Sequence, residues 1–184
     1  MVRILERLQT LVFDTRTRVI LTIFLFIATL ISTSLGVILF RADVSEAQEL
    51  REKIFEDFER ANDPRFIFGN NLLLTLVMFV PIIGPIWGLL ILFNTGSVIA
   101  LISIAEGFPP ILTFAILFLT PVFWLELGVY SIAMAQSIVF FLRFLQNQVR
   151  KESVRTCVII TACTLLLMLA AIIEWLMISL SSNL

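Results

Sequence analysis

Apolar and charged positions fall along this chain in long blocks. No charged residue lies between Arg18 and Arg41 or anywhere in 66–105, while 107–142 holds only Glu126 and 156–180 only Glu174. A bilayer core takes about 20 apolar residues per helix, so 19–40 reads as one span, 66–105 as two, 107–142 as one long broken span and 156–180 as the last. The Pro81-Ile82-Ile83-Gly84-Pro85 stretch supplies the break in the second block, because proline removes an amide donor and glycine loosens a helix. The block around Pro121 is too long for one straight helix and barely long enough for two. Its piece from Pro110 to Thr120 is too short to cross, and is expected as a half-length or re-entrant helix if it separates. The pattern therefore predicts an all-α polytopic transmembrane helical bundle, a single domain over 1–184, with about five spans, or six if the chain splits at Pro121.

Two further segments have helical periodicity without the length to span. Ile4, Leu5, Leu8, Leu11 and Val12 repeat opposite Arg3, Glu6, Arg7 and Gln9, so 1–17 is expected as an interfacial helix in the headgroup plane, or packed on the cytoplasmic ends of the spans. In 41–65, Val44, Ala47, Leu50, Ile54, Phe58 and Ala61 form one stripe behind a Ser45-x-x-Gln48 capping box, and Asn62-Asp63-Pro64 stops the helix. Glu49 with Lys53 and Glu56 with Arg60 add favourable pairs one turn apart. The stripe needs a cover: the protein's own outer surface, the membrane interface, or a second protein, for which Leu50, Ile54 and Phe58 are the partner-facing candidates.

Charge orients the bundle. Arg3, Arg7, Arg16 and Arg18 precede the first span, and Arg143, Arg150, Lys151 and Arg155 fill the 143–155 loop, so both segments are expected to be cytoplasmic. The 41–65 amphipathic helix is then external, as is the C-terminus. The first apolar run is longer than the roughly 7–15 residues of a signal-peptide core and lacks a small-x-small cleavage site, which predicts a retained anchor in the cell membrane.

Composition agrees and narrows the chemistry. Hydrophobic residues make up 59% and charged residues 15% of the chain, with a mean hydropathy of +1.03, far from a soluble domain. Histidine is absent, which removes Ser/His/Asp and Cys/His nucleophiles, histidine-held haem and His-containing zinc sites. Cys157 and Cys163 lie on different sides of one helix, too far apart to bridge. Net charge is −1 with no basic surface, so nucleic acid is not an expected partner. No catalytic residue, metal site or cofactor is expected.

The informative positions are polar groups at membrane depth, which are costly unless paired or wet. These are Asn70, Asn71, Asn94, Glu126, Gln136 and Glu174, with Glu106 near an external turn. No Lys or Arg lies in the same stretches. Glu126 therefore reads either as an interhelical clasp to Asn70, Asn71 or Asn94, or as an ion or proton site. Glu174, late in its span, reads as reaching the external interface. Gly84-x-x-x-Gly88 and Gly96-x-x-x-Ala100 are small-residue spacings that favour close helix packing.

Several of these residues also carry a family resemblance. Ile67-Phe68-Gly69-Asn70-Asn71-Leu72, the Gly84-to-Gly88 span, Asn94-Thr95-Gly96 and Pro121-Val122-Phe123-Trp124-Leu125-Glu126-Leu127 resemble the stage II sporulation protein M family over about 65–142. In that family a doubled Asn opens a span, a Gly-rich span leads to an Asn-Gly turn, and Pro-His-Gly-x-x-Glu opens a later span. Here Val122 and Phe123 stand in place of His and Gly, and the Gly of Asn-Gly is displaced behind Thr95; Asn70, Asn71, Asn94, Pro121 and Glu126 match. The resemblance implies an integral membrane protein acting with partners, which in spore formers means membrane and cell-wall remodelling during engulfment.

Two functions are compatible with these features. The first is a non-enzymatic structural or accessory subunit of a membrane protein complex, assembled with other membrane subunits or with itself, including an accessory subunit of a larger membrane enzyme whose metal ligands come from other chains, since this chain has no His. The alternative is a small transporter or channel for an ion or small solute, lined by Asn70, Asn94 and Glu126 and built on the helices broken at Pro81–Pro85 and Pro121.

Overall fold

The computed structural model describes residues 15–58 and 63–181 and, within these, all side chains except those of 54–58, 151 and 181. The predicted interfacial helix over 1–17 lies almost wholly outside the described residues. Among the described residues there are seven helices and no strands: α1 Thr15–Leu39, α2 Val44–Phe58, α3 Pro64–Met78, α4 Ile83–Ala105, α5 Pro110–Phe118, α6 Pro121–Leu145 and α7 Val149–Ser181. Four are long and apolar enough to cross a membrane: α1, α4, α6 and the Glu152–Leu180 part of α7.

The remaining predicted span, at the start of the 66–105 block, is a shorter element. Its helix α3 has 15 residues, about 22 Å at the α-helical rise, against a hydrocarbon core of about 30 Å. Asp63 caps it, its side chain accepting from the Arg65 amide at 2.8 Å, and Pro64 sits at the first helical position, where a missing N–H costs nothing. The chain reverses at Phe79–Ile82 and α4 returns. Ile82 has φ 70° and ψ −50°, and the Ile83 amide donates to the Pro81 carbonyl at 2.8 Å, which makes a strained three-residue turn on a β-branched residue. Gly84 allows it: a Cβ there would lie 1.9 Å from the Met78 carbonyl oxygen.

Helices α1 and α4 run parallel in close contact. Ser32 Oγ donates to the Leu89 carbonyl at 2.7 Å, Gly36 abuts the backbone at Phe93 and Ser97, and Gly96 abuts Thr33 and Val37. Helices α6 and α7 form an antiparallel hairpin through Gln146–Gln148, and Phe26 of α1 stacks on Trp124 of α6 with ring centroids 5.8 Å apart. Between them lies a core of Leu25, Met78, Leu92, Leu127, Met134, Cys163 and Leu167. The piece at Pro110 forms its own helix, the nine-residue α5. Its Phe114 and Phe118 pack on Phe123 and Trp124 across the break, and the Trp124 indole donates at 2.8 Å to the Phe118 carbonyl left open by the end of α5.

Helix α2 lies at the end of the bundle away from Arg18, against the last turn of α4. Ala47 is fully buried against Leu101 and Ala105, and Arg51 pairs with Glu106 at 3.1 Å. The predicted capping box is corrected here. The helix starts at Val44, with the Asp43 carbonyl accepting from the Ala47 amide at 2.8 Å, so Ser45 is already inside the first turn. The Gln48 side chain reaches the Ala105 carbonyl at 3.5 Å, because the final carbonyls of α4 lack helical partners and compete for it. Of the predicted stripe, Val44 and Leu50 are partly exposed, and the side chains of Ile54 and Phe58 lie outside the described ones. Lys53 beside Glu49, at 2.7 Å, holds that carboxyl below its usual range; the pair is exposed and adds little stability. The Glu56–Arg60 pair lies outside the described side chains.

Candidate functional site

Five helices line a cavity of about 530 Å³ that is open on one side. Helix α3 presents Ile67, Asn70, Asn71 and Leu74, and α6 presents Phe123, Glu126, Leu127 and Tyr130. Both sets follow the i, i+3, i+4, i+7 spacing of one helical face. Helix α4 adds Asn94, Thr95 and their apolar neighbours, α7 adds Glu174 and Ile178, and α1 adds Thr33. The cavity exists because the short α3 and its return turn insert between the spanning helices and leave space beside the first turns of α6.

Within it, Asn71 Nδ2 donates to Glu126 Oε1 at 2.5 Å. Of the three Asn candidates for a clasp, the structure selects Asn71. Asn70 and Asn94 lie at the cavity's exposed rim. Thr75 Oγ1 bonds back to the Asn71 carbonyl at 2.7 Å, which fixes that turn. None of the residues lining the cavity is basic. Two carboxyl groups, three amides, a phenol and two threonine hydroxyls therefore surround space with no built-in positive charge, a set suited to a small cation or a polar solute rich in donors.

One turn beyond the lining residues, the cavity has a packed floor. Thr75, Met78, Gly88 and Met134 are all buried, and a Cβ on Gly88 would sit 2.4 Å from Met134 Sδ. Ser137 Oγ closes the next layer by donating to the Val80 carbonyl at 2.7 Å. The space is thus sealed toward the end of the bundle that carries Arg18.

The structure brings together Asn70, Asn71, Asn94 and Glu126 in this one cavity. Gly84, Gly88 and Gly96 lie buried at helix contacts, and Pro121 opens α6. Leu50, the described one of the three partner-facing candidates, is partly exposed on α2 and is not among the residues lining the cavity. Glu174, read from sequence as reaching the interface, lines the cavity wall. Tyr130 and Thr33 join them without a sequence signal of their own, although Tyr130 stands one turn from Glu126 on the same face.

A second polar cluster lies at the other end. The Arg18 guanidinium donates to both oxygens of Glu152 at 2.8 Å, and Gln136 Nε2 donates to Glu152 Oε1 and to Thr156 Oγ1, each at 2.8 Å. Arg143 Nε lies 3.5 Å from Glu152 Oε2. Glu152 is only 4% exposed, so its charge is held by a bidentate pair that ties α1, α6 and α7 together. This joins Arg18 to the α6–α7 connection at one end of the bundle; most of the predicted 143–155 loop is helical, the connection itself spanning only 146–148. No family model, curated protein or solved structure matches the chain.

Proposed function

We propose that the chain is a non-enzymatic, multi-pass cell-membrane protein that carries a small cation or polar solute, with its working site in the cavity beside Glu126. One observation carries this reading: the intramembrane acids and amides Asn70, Asn71, Asn94, Glu126 and Glu174 converge on one space with a closed floor. A purely structural clasp requires only Asn71 and Glu126, and leaves the other polar groups and the space between them without a purpose. A floor closed on one side is the form expected of a carrier in one of its access states rather than of an open pore. Four of the five residues that carry the resemblance to the stage II sporulation protein M family, Asn70, Asn71, Asn94 and Glu126, line this cavity. On this reading the Arg-rich end is cytoplasmic and α2 lies outside.

The second reading, a structural or accessory subunit of a membrane complex, is favoured by the Asn71–Glu126 clasp and by the partly exposed apolar side chains of Val44 and Leu50. Reconstitution into vesicles distinguishes the two. Under the carrier reading, an imposed sodium, potassium or proton gradient dissipates faster than in empty vesicles. If none of these gradients moves and the chain purifies in fixed stoichiometry with different chains, the subunit reading replaces it.

The orientation has its own test. In a background with Cys157 and Cys163 replaced, Ser45→Cys and Gln148→Cys, both at exposed positions, should react with a membrane-impermeant thiol reagent from opposite sides of intact cells. Reaction of both from the same side would overturn the proposed topology.

A further inference from the structure

The Arg18 end of the bundle holds a groove of about 210 Å³ between α1, α6 and α7, separate from the cavity. Arg18, Thr22, Gln136 and Arg155 form its polar part, and Ile132, Val139 and Ile159 are among its apolar walls. Among the described residues, the charges around it do not balance. Glu152 is the carboxylate of the cluster, and both its oxygens are taken by Arg18, with Arg143 also beside it. Arg155 is exposed, and among the described residues it has neither a hydrogen bond nor an ion pair. The Arg18 Nε is buried without an acceptor.

A surplus of guanidinium over carboxylate, at the mouth of an apolar groove between spanning helices, fits a phosphate attached to hydrocarbon. Guanidinium presents paired donors to phosphate oxygens, and anionic lipids occupy basic pockets of this kind at membrane interfaces. We propose that this groove binds the headgroup phosphate of an anionic phospholipid, with Arg155 as the principal contact and Ile132, Val139 and Ile159 against its acyl chain. A phosphate oxygen there also supplies an acceptor for the Arg18 side chain. The bound lipid then bridges α1 to the α6–α7 hairpin at the point where the Arg18–Glu152 pair already joins them.

The test uses the full chain in detergent micelles, with retained lipid counted by native mass spectrometry after incubation with phosphatidylglycerol or phosphatidylcholine. Phosphatidylglycerol should be retained in preference. Arg155→Gln should weaken its retention about fivefold, the equivalent of one interfacial Arg, while Arg155→Lys keeps most of it. Ile159→Trp, which fills the groove, should also reduce it. Because Arg155 is exposed, the glutamine variant should melt like the wild type in phosphatidylcholine, so a loss of binding is not a loss of fold. Inorganic phosphate distinguishes the sources: failure to displace the lipid assigns the site to a lipid headgroup, and displacement at millimolar concentration assigns it to a soluble phosphate and overturns the lipid assignment. Equal retention of the two lipids, or retention unchanged by Arg155→Gln, overturns the proposal.

Discussion

Replacing Gly96 with valine is expected to leave little folded protein in the membrane. A Cβ at Gly96 would stand 2.1 Å from the Thr33 carbonyl oxygen and 3.0 Å from the Val37 nitrogen, and Gly36 mirrors it with 2.0 Å to the Phe93 carbonyl oxygen. These obstacles are backbone atoms, so no side-chain rotation relieves them, and α1 and α4 must separate along their length. Overpacking of a well-packed interface costs about 1–3 kcal/mol where side chains can yield; a backbone-to-backbone clash belongs at or above the top of that range. Separation also breaks the Ser32–Leu89 hydrogen bond and opens the cavity wall that α4 supplies. Gly69→Ala is the matched control, since nothing lies within 4 Å of its Cβ position, and alanine favours a helix over glycine by up to about 1 kcal/mol. Monodisperse yield and thermal melting in mild detergent measure both. Equal melting of the two variants would show that the α1–α4 contact is looser than the structure has it.

The long apolar blocks made the spanning helices legible, because an uncharged run of sufficient length has few other uses. Charges within helices were less legible. Helix α1 begins at Thr15, ahead of the predicted span, and carries Arg16 and Arg18; Arg18 is accommodated by Glu152, a partner 134 positions away. Sequence reading treats such an arginine as a topology marker, and only the tertiary pairing shows it as a buried contact. The break at Pro81–Pro85 was likewise readable, while its depth was not. Whether α3 crosses or turns back depends on the Ile82 backbone and on the space that Gly84 leaves for the Met78 carbonyl, and neither follows from hydropathy.

The site was legible residue by residue. Asn70, Asn71, Asn94 and Glu126 stood out because each is expensive at membrane depth, but the choice of Asn71 over its neighbour as the Glu126 partner depends on helix phase. Glu174 is less legible, because its place late in a span suggests escape to the interface. In the fold, α7 is 33 residues long and packs beside α3, which keeps that carboxyl facing the cavity instead.

Glu126 distinguishes the two functional readings most sharply. Glu126→Gln retains an oxygen to accept from Asn71 Nδ2 and nearly the same volume, so yield and melting should stay close to wild type. Glu126→Leu leaves the Asn71 amide without its partner, at a cost of about 1–3 kcal/mol, and should lower melting. Adding Asn71→Leu to that variant removes the orphaned donor and should restore part of the loss; the cycle isolates the clasp itself, expected at about 0.6 kcal/mol and no more than about 1.7. Transport responds differently. If Glu126 binds the cation or passes a proton, Glu126→Gln should stop gradient dissipation in vesicles while the protein remains folded, because an amide holds neither a negative charge nor an exchangeable acid proton near neutral pH. Flux preserved in Glu126→Gln would remove the carboxyl from the transport pathway and leave it the structural role alone. Equal tolerance of Gln and Leu, in melting and in flux, would remove both roles.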